Sequence, residues 1–251
     1  ASSQRPTANR QQPDHPLRFP MPYDSDIDYD EPIPVFPLGQ LVLLPHAAVP
    51  LHIFEQRYRE MMREALRGEQ LIAMAVFNPE ENWAEQYGGA PPLRPCVCVG
   101  RIVEHQELPD GRYHLLLQGR ARARIVEELP IDEYRSAMLE PIESDPAMEI
   151  DLTEHRKRIL DLLRDEQMQQ LAMMGQINQW IGSELSTDAM VDAVTLLLCR
   201  DAGERYAMLA EADAHARAER LAGILRETRD TLAMAAPMFD KVKTEEGFFL
   251  N

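Results

Sequence analysis

The stretch that decides the fold is residues 33–58, IPVFPLGQLVLLPHAAVPLHIFEQRY, the densest run of apolar residues and prolines in the chain. Its four prolines, at positions 34, 37, 45 and 50, exclude a continuous helix, because each removes a backbone donor and fixes φ. The aliphatic and β-branched residues between them favour pleated structure. The stretch therefore predicts short, kinked strands rather than a catalytic motif.

An amphipathic helix is predicted directly after these strands. Apolar residues from Tyr58 to Leu66 recur at the three- and four-residue spacing of one helix face, and Gly68 is a typical helix stop. A strand-rich segment that runs into a helix packed back on it is a compact nucleus for a domain.

Further strands bring the predicted total to about six. Residues 71–77 are apolar on both faces, a turn at Leu108-Pro109-Asp110-Gly111 joins two apolar runs into a hairpin, and residues 134–142 form the last strand. The long loop 78–95 contains Trp83 and Tyr87. These aromatic side chains are either contact anchors for a partner or a small cluster tucked back on the sheet.

A row of arginines follows Gly119, which marks a bend or bulge in the strand. Arg120, Arg122 and Arg124 alternate with alanines and an isoleucine, so strand geometry places the three guanidiniums on one face. This face is either a solvated sheet surface or a small stripe that binds anions or carboxylates, which match the arginine fork.

Beyond Pro146 the composition shifts to strong helix formers. We predict a helix from Thr153 to about Met173, further helices around residues 177–185 and after Ser186, and a final amphipathic stripe over residues 221–232, which together make a bundle of four or five helices. Met174, Ile177 and Trp180 belong to a methionine-rich segment that is either bundle core or an adaptable apolar binding surface.

Composition restricts location and partners. The net charge of −16 disfavours binding to nucleic acid, which depends on a cationic surface. No apolar run reaches the length of a membrane span and the first residues lack the apolar core of a signal peptide, so we expect a cytoplasmic protein without membrane contact. Residues 1–32, acidic and rich in proline, are expected to be disordered or loosely draped, with an acidic interaction tail as the alternative. Residues 237–251 are expected to form a flexible tail.

No catalytic, cofactor or metal site is predicted from the motifs. The sequence contains no Gly-Lys pair for a phosphate-binding loop and no G-x-S-x-G elbow. His46 and His52 have no partner at metal-ligand spacing, and Cys96, Cys98 and Cys199 suit buried thiols better than a zinc knuckle. Lys157 lies among arginines rather than in the apolar pocket that a Ser-Lys peptidase needs.

These motifs resemble the Lon protease amino-terminal (LON, substrate-binding) domain. The matching segments are Val42-Leu43-Leu44-Pro45, Ile53-Phe54-Glu55, Arg57-Tyr58, Val99-Gly100-Arg101-Ile102, Asp110-Gly111-Arg112-Tyr113 and, more faintly, the helices of residues 188–221. The resemblance implies an α+β fold: a PUA-like pseudo-β-barrel of about six strands with a packed helix over residues 33–143, then a helical bundle over residues 144–236. Arg205-Tyr206 departs from the usual Lys-Gln of the family.

The resemblance implies polypeptide binding, and the missing ATPase and Ser-Lys peptidase motifs make a non-catalytic binding module the first hypothesis. The expected partners are unfolded or apolar polypeptide segments, or a partner protease or chaperone, with a homo-oligomer also possible. The candidate binding residues are Trp83, Tyr87, Arg120, Arg122, Met174, Ile177 and Trp180. A hydrolase with an unrecognised site on the same scaffold and an RNA-binding PUA-like protein are the alternatives, the second opposed by the acidic charge.

Overall fold

The computed structural model describes residues 27–78, 91–130, 133–143, 149–181 and 185–246. Within them the chain forms six strands, as predicted, and seven helices. The strands are β1 (Ile33–Leu38), β2 (Ala48–Ile53), β3 (Leu71–Val76), β4 (Cys96–Glu107), β5 (Tyr113–Glu128) and β6 (Arg135–Pro141). The helices are α1 (Gln56–Arg67), α2 (Thr153–Leu163), α3 (Glu166–Gln169), α4 (Met174–Ile181), α5 (Thr187–Leu198), α6 (Ala202–Ala210) and α7 (Ala214–Glu246).

The six strands form one mixed sheet in the order β2-β5-β4-β3-β1-β6. β1 and β3 are parallel and the other neighbours are antiparallel. Because β5 also pairs with β6, five of the strands close into a barrel and β2 extends the sheet beside β5. The predicted α+β fold with about six strands and a packed helix is confirmed.

Small and β-branched side chains fill the barrel interior. Ala73, Ala75, Ala121 and Ala123 lie there with valines and leucines from neighbouring strands, all of them buried. Interior positions alternate with outward ones along each strand, and side chains alone fill the interior of a small barrel. The barrel interior is therefore a packed core and not a ligand channel.

A second core joins the outer face of the barrel to the helices. Its members are buried residues from both halves of the chain, including Leu43, Met74, Leu117, Ile159 and Leu221. The segments predicted as barrel and bundle thus pack on each other through one continuous apolar cluster.

A bulge in β5 allows a loop to cross the strand. The register with β4 shifts between Val99 and Gly100, which leaves one extra residue in β5 beside Gly119. A Cβ atom at Gly119 would lie 2.1 Å from the carbonyl oxygen of Leu44, so this position tolerates no side chain. The backbone N–H of His46, whose φ is 62°, donates to the Gly119 carbonyl at 3.1 Å. The bend predicted at Gly119 thus anchors the loop that precedes β2.

Local helix signals are partly confirmed. Gly68 ends α1, and the Ser186 hydroxyl accepts a hydrogen bond from the Ala189 N–H and begins α5. The prediction of a single helix from Thr153 to about Met173 is wrong. The helix α2 ends at Leu163, and the Asp165 carboxylate begins α3 by accepting a hydrogen bond from the Gln167 N–H. The described residues beyond 148 form six helices rather than four or five, and α7 continues past residue 236 to Glu246.

The helix α6 is attached to the barrel through Tyr206. Its hydroxyl oxygen accepts a hydrogen bond from the Cys96 N–H at 2.9 Å, and the Arg94 guanidinium lies 4.4 Å from the ring centroid. Burial raises the pKa of Tyr206 to about 12. Among the helices described, none is long and apolar enough to cross a membrane.

Candidate functional site

An apolar groove of about 290 Å³ lies between the ends of β1 and β2 and the beginning of α1. Phe36, Ile53 and Tyr58 form its floor and are themselves buried. The rings of Phe36 and Tyr58 meet edge to face with centroids 4.7 Å apart, a favoured geometry for aromatic pairs. The floor is therefore fixed by packing before any ligand arrives.

Phe54 lies at the rim of this groove with 61% of its surface exposed. Ile53 and Phe54 are neighbours at the end of β2, where successive side chains point to opposite faces of a sheet. Ile53 therefore enters the core, with 1% exposure, while Phe54 faces solvent. A large exposed aromatic next to an apolar groove is typical of an interaction surface.

Polar groups flank the apolar floor. The Arg57 guanidinium donates to the Glu55 carboxylate from Nε at 3.0 Å and from Nη2 at 2.8 Å, and it lies 4.7 Å from the centroid of the Tyr58 ring. The His52 ring stands 5.8 Å from the ring of Phe54. One cation and one anion at the rim give the groove no excess positive charge for a phosphate, but they offer donors and acceptors to a peptide backbone.

The edge of the sheet beside the groove is poorly suited to strand addition. In the described part of the sheet, β2 pairs only with β5, so its other side is an edge. Pro50 lies in the middle of β2 and has no N–H to donate, a common way of blocking an edge. The groove is thus better suited to inserted side chains than to a pairing backbone.

A cluster of charged side chains joins the barrel to the helices. Arg122 of β5 donates from Nη2 to Oδ1 of Asp192 on α5 at 2.6 Å, and both side chains are buried. Arg217 of α7 donates from Nη2 to Oδ1 of Asp188, also at 2.6 Å. His46 completes the cluster, with Nε2 4.0 Å from Oδ2 of Asp188.

Burial and the arginines set the ionisation of this cluster. Burial raises the pKa of Asp192 although Arg122 opposes it. Burial also acts to raise the pKa of Asp188, but Arg217 and Arg122 outweigh it and hold that pKa below its usual value. Burial raises the pKa of the nearby Cys98 thiol far above its ordinary value, so this sulfur stays protonated and is a poor nucleophile.

The row of arginines predicted on β5 is not a continuous surface stripe. Arg120 is half-buried at the bulge, Arg122 is buried beneath α5, and Arg124 is exposed with Nε 3.6 Å from Glu140. Alternation along the strand could not reveal that a distant helix covers part of this face and supplies the partner Asp192. Arg122 is therefore a core ion-pair residue, which does not support its predicted part in a polypeptide-binding surface.

Among the predicted binding residues that the structure describes, none lines the groove. Met174 and Ile177 are buried in the helical core, with 2% and 0% exposure, which supports the core interpretation of the methionine-rich segment and not the surface one. Trp180 belongs to α4, but its side chain lies outside the described residues, as do Trp83 and Tyr87. The sequence reasoning missed Phe54, for which the signal was two consecutive apolar residues, Ile53 and Phe54, at the end of an alternating strand.

Comparison with known sequences gives one family match and many relatives. The sequence profile described as the ATP-dependent protease La (LON) substrate-binding domain matches residues 32–227. Lon protease 2 of Myxococcus xanthus is 23% identical over 87% of this chain and 26% of its own length. Lon protease of Trichlorobacter lovleyi is 22% identical over 89% of this chain and 27% of its own length. The chain thus spans about a quarter of these relatives.

Two solved structures share the fold. A Lon N-terminal domain protein from Xanthomonas campestris superposes with a TM-score of 0.53 and 23% identity, over 76% of this chain and 96% of the other. The N-terminal domain of Lon protease from the Mycobacterium avium complex gives a TM-score of 0.57 and 15% identity, over 78% and 98% of the two chains.

Proposed function

Since the chain belongs to the ATP-dependent protease La (LON) substrate-binding domain family, we propose that it is a non-catalytic module that binds apolar segments of unfolded polypeptides. The binding site in this proposal is the groove floored by Phe36, Ile53 and Tyr58. Apolar side chains enter the groove and stack on Phe54, while the rim contacts the peptide backbone.

The exposure of Phe54 beside a preformed apolar floor is the observation that carries this proposal. At about 290 Å³ the groove lies at the small end of ligand sites, which range from about 300 to 1,000 Å³. It therefore holds one or two large side chains rather than an extended cofactor. A groove that binds only one or two apolar side chains discriminates little between sequences, so it can bind many different unfolded polypeptides.

Two further observations support a binding role over catalysis or RNA recognition. The sequence contains no Gly-Lys pair for a phosphate-binding loop, and the Cys98 thiol beside the charged cluster is held in its protonated form. The net charge of −16 and the balanced rim of Glu55 and Arg57 disfavour a phosphate backbone. A partner protease or chaperone that uses the same groove is the second class of occupant that the proposal admits.

Photocross-linking tests where polypeptide binds. A benzoylphenylalanine introduced in place of Phe54 is expected to cross-link unfolded, fluorescein-labelled casein on irradiation. The matched control carries the same group in place of Val126, which is 62% exposed on β5 outside the groove. Strong labelling at Phe54 with weak labelling at Val126 supports the proposal. Equal labelling at both positions, or none at Phe54, overturns the assignment of this groove.

A further inference from the structure

The charged cluster brings three potential metal ligands together from distant parts of the chain. Asp188 and Asp192 are four residues apart on α5, so both carboxylates lie on one face of that helix. His46 reaches them from the loop before β2. One ligand atom of each residue lies within 4.8 Å of the other two, and His46 Nε2 is 4.0 Å from Asp188 Oδ2.

Two arginines orient the carboxylates and leave one oxygen of each available. Arg122 binds Oδ1 of Asp192 and Arg217 binds Oδ1 of Asp188, both at 2.6 Å. Oδ2 of Asp188 is the atom nearest to His46, while Oδ2 of Asp192 is buried and has no hydrogen-bond donor. A buried carboxylate oxygen without a donor is costly, and Oδ2 of Asp192 is therefore available to a further ligand.

We propose that His46, Asp188 and Asp192 bind a divalent transition-metal cation, with Zn²⁺ as the best match, at the junction of the barrel and the helices. An imidazole with two carboxylates suits Zn²⁺ better than Mg²⁺ or Ca²⁺, which prefer oxygen ligands alone. Hydrogen bonds from Arg122 and Arg217 hold the two carboxylates in place, as hydrogen bonds to ligating carboxylates do in metal sites.

The three ligand atoms lie within 4.8 Å of one another, so they must move closer together to bind one ion. Zn²⁺ bonds of about 2.0–2.2 Å in a tetrahedral site place ligand atoms roughly 3.3–3.5 Å apart. The 4.0 Å between His46 and Asp188 must therefore shorten by about half an ångström. The side chains of His46 and Asp188 are 14% and 26% exposed, which gives the ion a path from solvent and room for a water as the fourth ligand.

Backbone and charge set the expected strength of this site. His46 is held in a left-handed conformation by its N–H bond to Gly119, an uncommon conformation that persists only where the surroundings fix it. The two arginines neutralise the two aspartates, so the site has no net negative charge to attract the cation. Binding is therefore expected in the micromolar range, far weaker than in a structural zinc site.

A Zn²⁺ titration of the full chain, in competition with a chromophoric chelator, tests the proposal. We expect one equivalent of Zn²⁺ to bind and His46→Asn to weaken that binding at least tenfold, because asparagine tolerates the left-handed backbone but is a poor ligand. His105→Asn is the matched control, since His105 is an exposed histidine on β4. Its affinity for Zn²⁺ is expected to equal that of the unmodified protein.

A second measurement keeps the result clear if His46→Asn is unstable. Co²⁺ added to the unmodified protein is expected to give the intense visible bands of a low-coordinate site with nitrogen and oxygen ligands, and Zn²⁺ is expected to remove them. Absence of a saturable Zn²⁺ site overturns the proposal. Equal Zn²⁺ affinity in His46→Asn and the unmodified protein, with both folded, overturns it as well.

Discussion

Replacing Phe54 with serine is expected to weaken the binding of an unfolded polypeptide at least tenfold and to leave the fold intact. A phenylalanine side chain presents about 200 Å² to a partner. At 61% exposure, roughly 120 Å² of Phe54 is available, worth up to about 3 kcal/mol at about 25 cal/mol per Å². Covering half of that area contributes about 1.5 kcal/mol, which corresponds to a tenfold change in Kd.

Fluorescence anisotropy of labelled, unfolded casein measures this Kd directly. Val126→Ser is the matched control, because Val126 is 62% exposed and lies outside the groove. Thermal melting of both variants checks the fold, and substitutions of exposed residues are expected to change the unfolding free energy by about 0.5 kcal/mol or less.

Two results would refute this reasoning. An unchanged Kd in Phe54→Ser, with normal melting, would show that the groove is not the binding site. An equal loss in Val126→Ser would show that casein adheres to any exposed apolar side chain. A loss in Phe54→Ser alone would support the assignment of the groove.

Three further predictions test the burial of Met174, the Arg122–Asp192 ion pair and the raised pKa of Tyr206. Met174→Ala is expected to lower the unfolding free energy, measured by urea denaturation, by about 2–4 kcal/mol. The control Met234→Ala removes a side chain that is 79% exposed and should change the unfolding free energy by about 0.5 kcal/mol or less. Equal effects of the two substitutions would contradict the burial of Met174. Arg122→Met alone should lower the unfolding free energy by about 3–5 kcal/mol because the buried Asp192 carboxyl loses its partner, and adding Asp192→Leu should recover most of the loss. Additive losses would contradict the ion pair. The pKa of Tyr206 is raised to about 12 from an ordinary 10.0. This shift contributes to the unfolding free energy fully below pH 10, and the contribution is lost as the pH rises through 12. Tyr206→Phe should therefore make the unfolding free energy fall less steeply between pH 10 and pH 12. An unchanged slope would contradict this role.

Features set by a few neighbouring residues could be predicted from the sequence. Gly68 ends a helix, Gly111 with a φ of 77° closes the hairpin, and the Ser186 hydroxyl caps α5. Each depends on backbone freedom or on a donor one turn away, and not on the rest of the fold. The resemblance to the LON domain supplied the architecture that these local signals leave open.

The break between α2 and α3 shows where local signals mislead. Residues 153–173 consist largely of good helix formers, which favour one helix. The Asp165 carboxylate instead caps a new turn, and Met168 enters the shared core with 0% exposure. Tertiary packing and the Asp165 cap override helix propensity here.

By itself the sequence determined the number of strands, the main turns and caps, and the family. Tertiary structure decided what the polar and aromatic side chains contact. Strand alternation alone places Arg122 on an exposed face, but in the structure it is buried and paired with Asp192, 70 residues later in the chain. In the same way, only the folded chain places Phe54 beside the groove and His46 beside the carboxylates of Asp188 and Asp192. These contacts join residues that are far apart in the sequence and form only on folding, so local residue spacing cannot predict them.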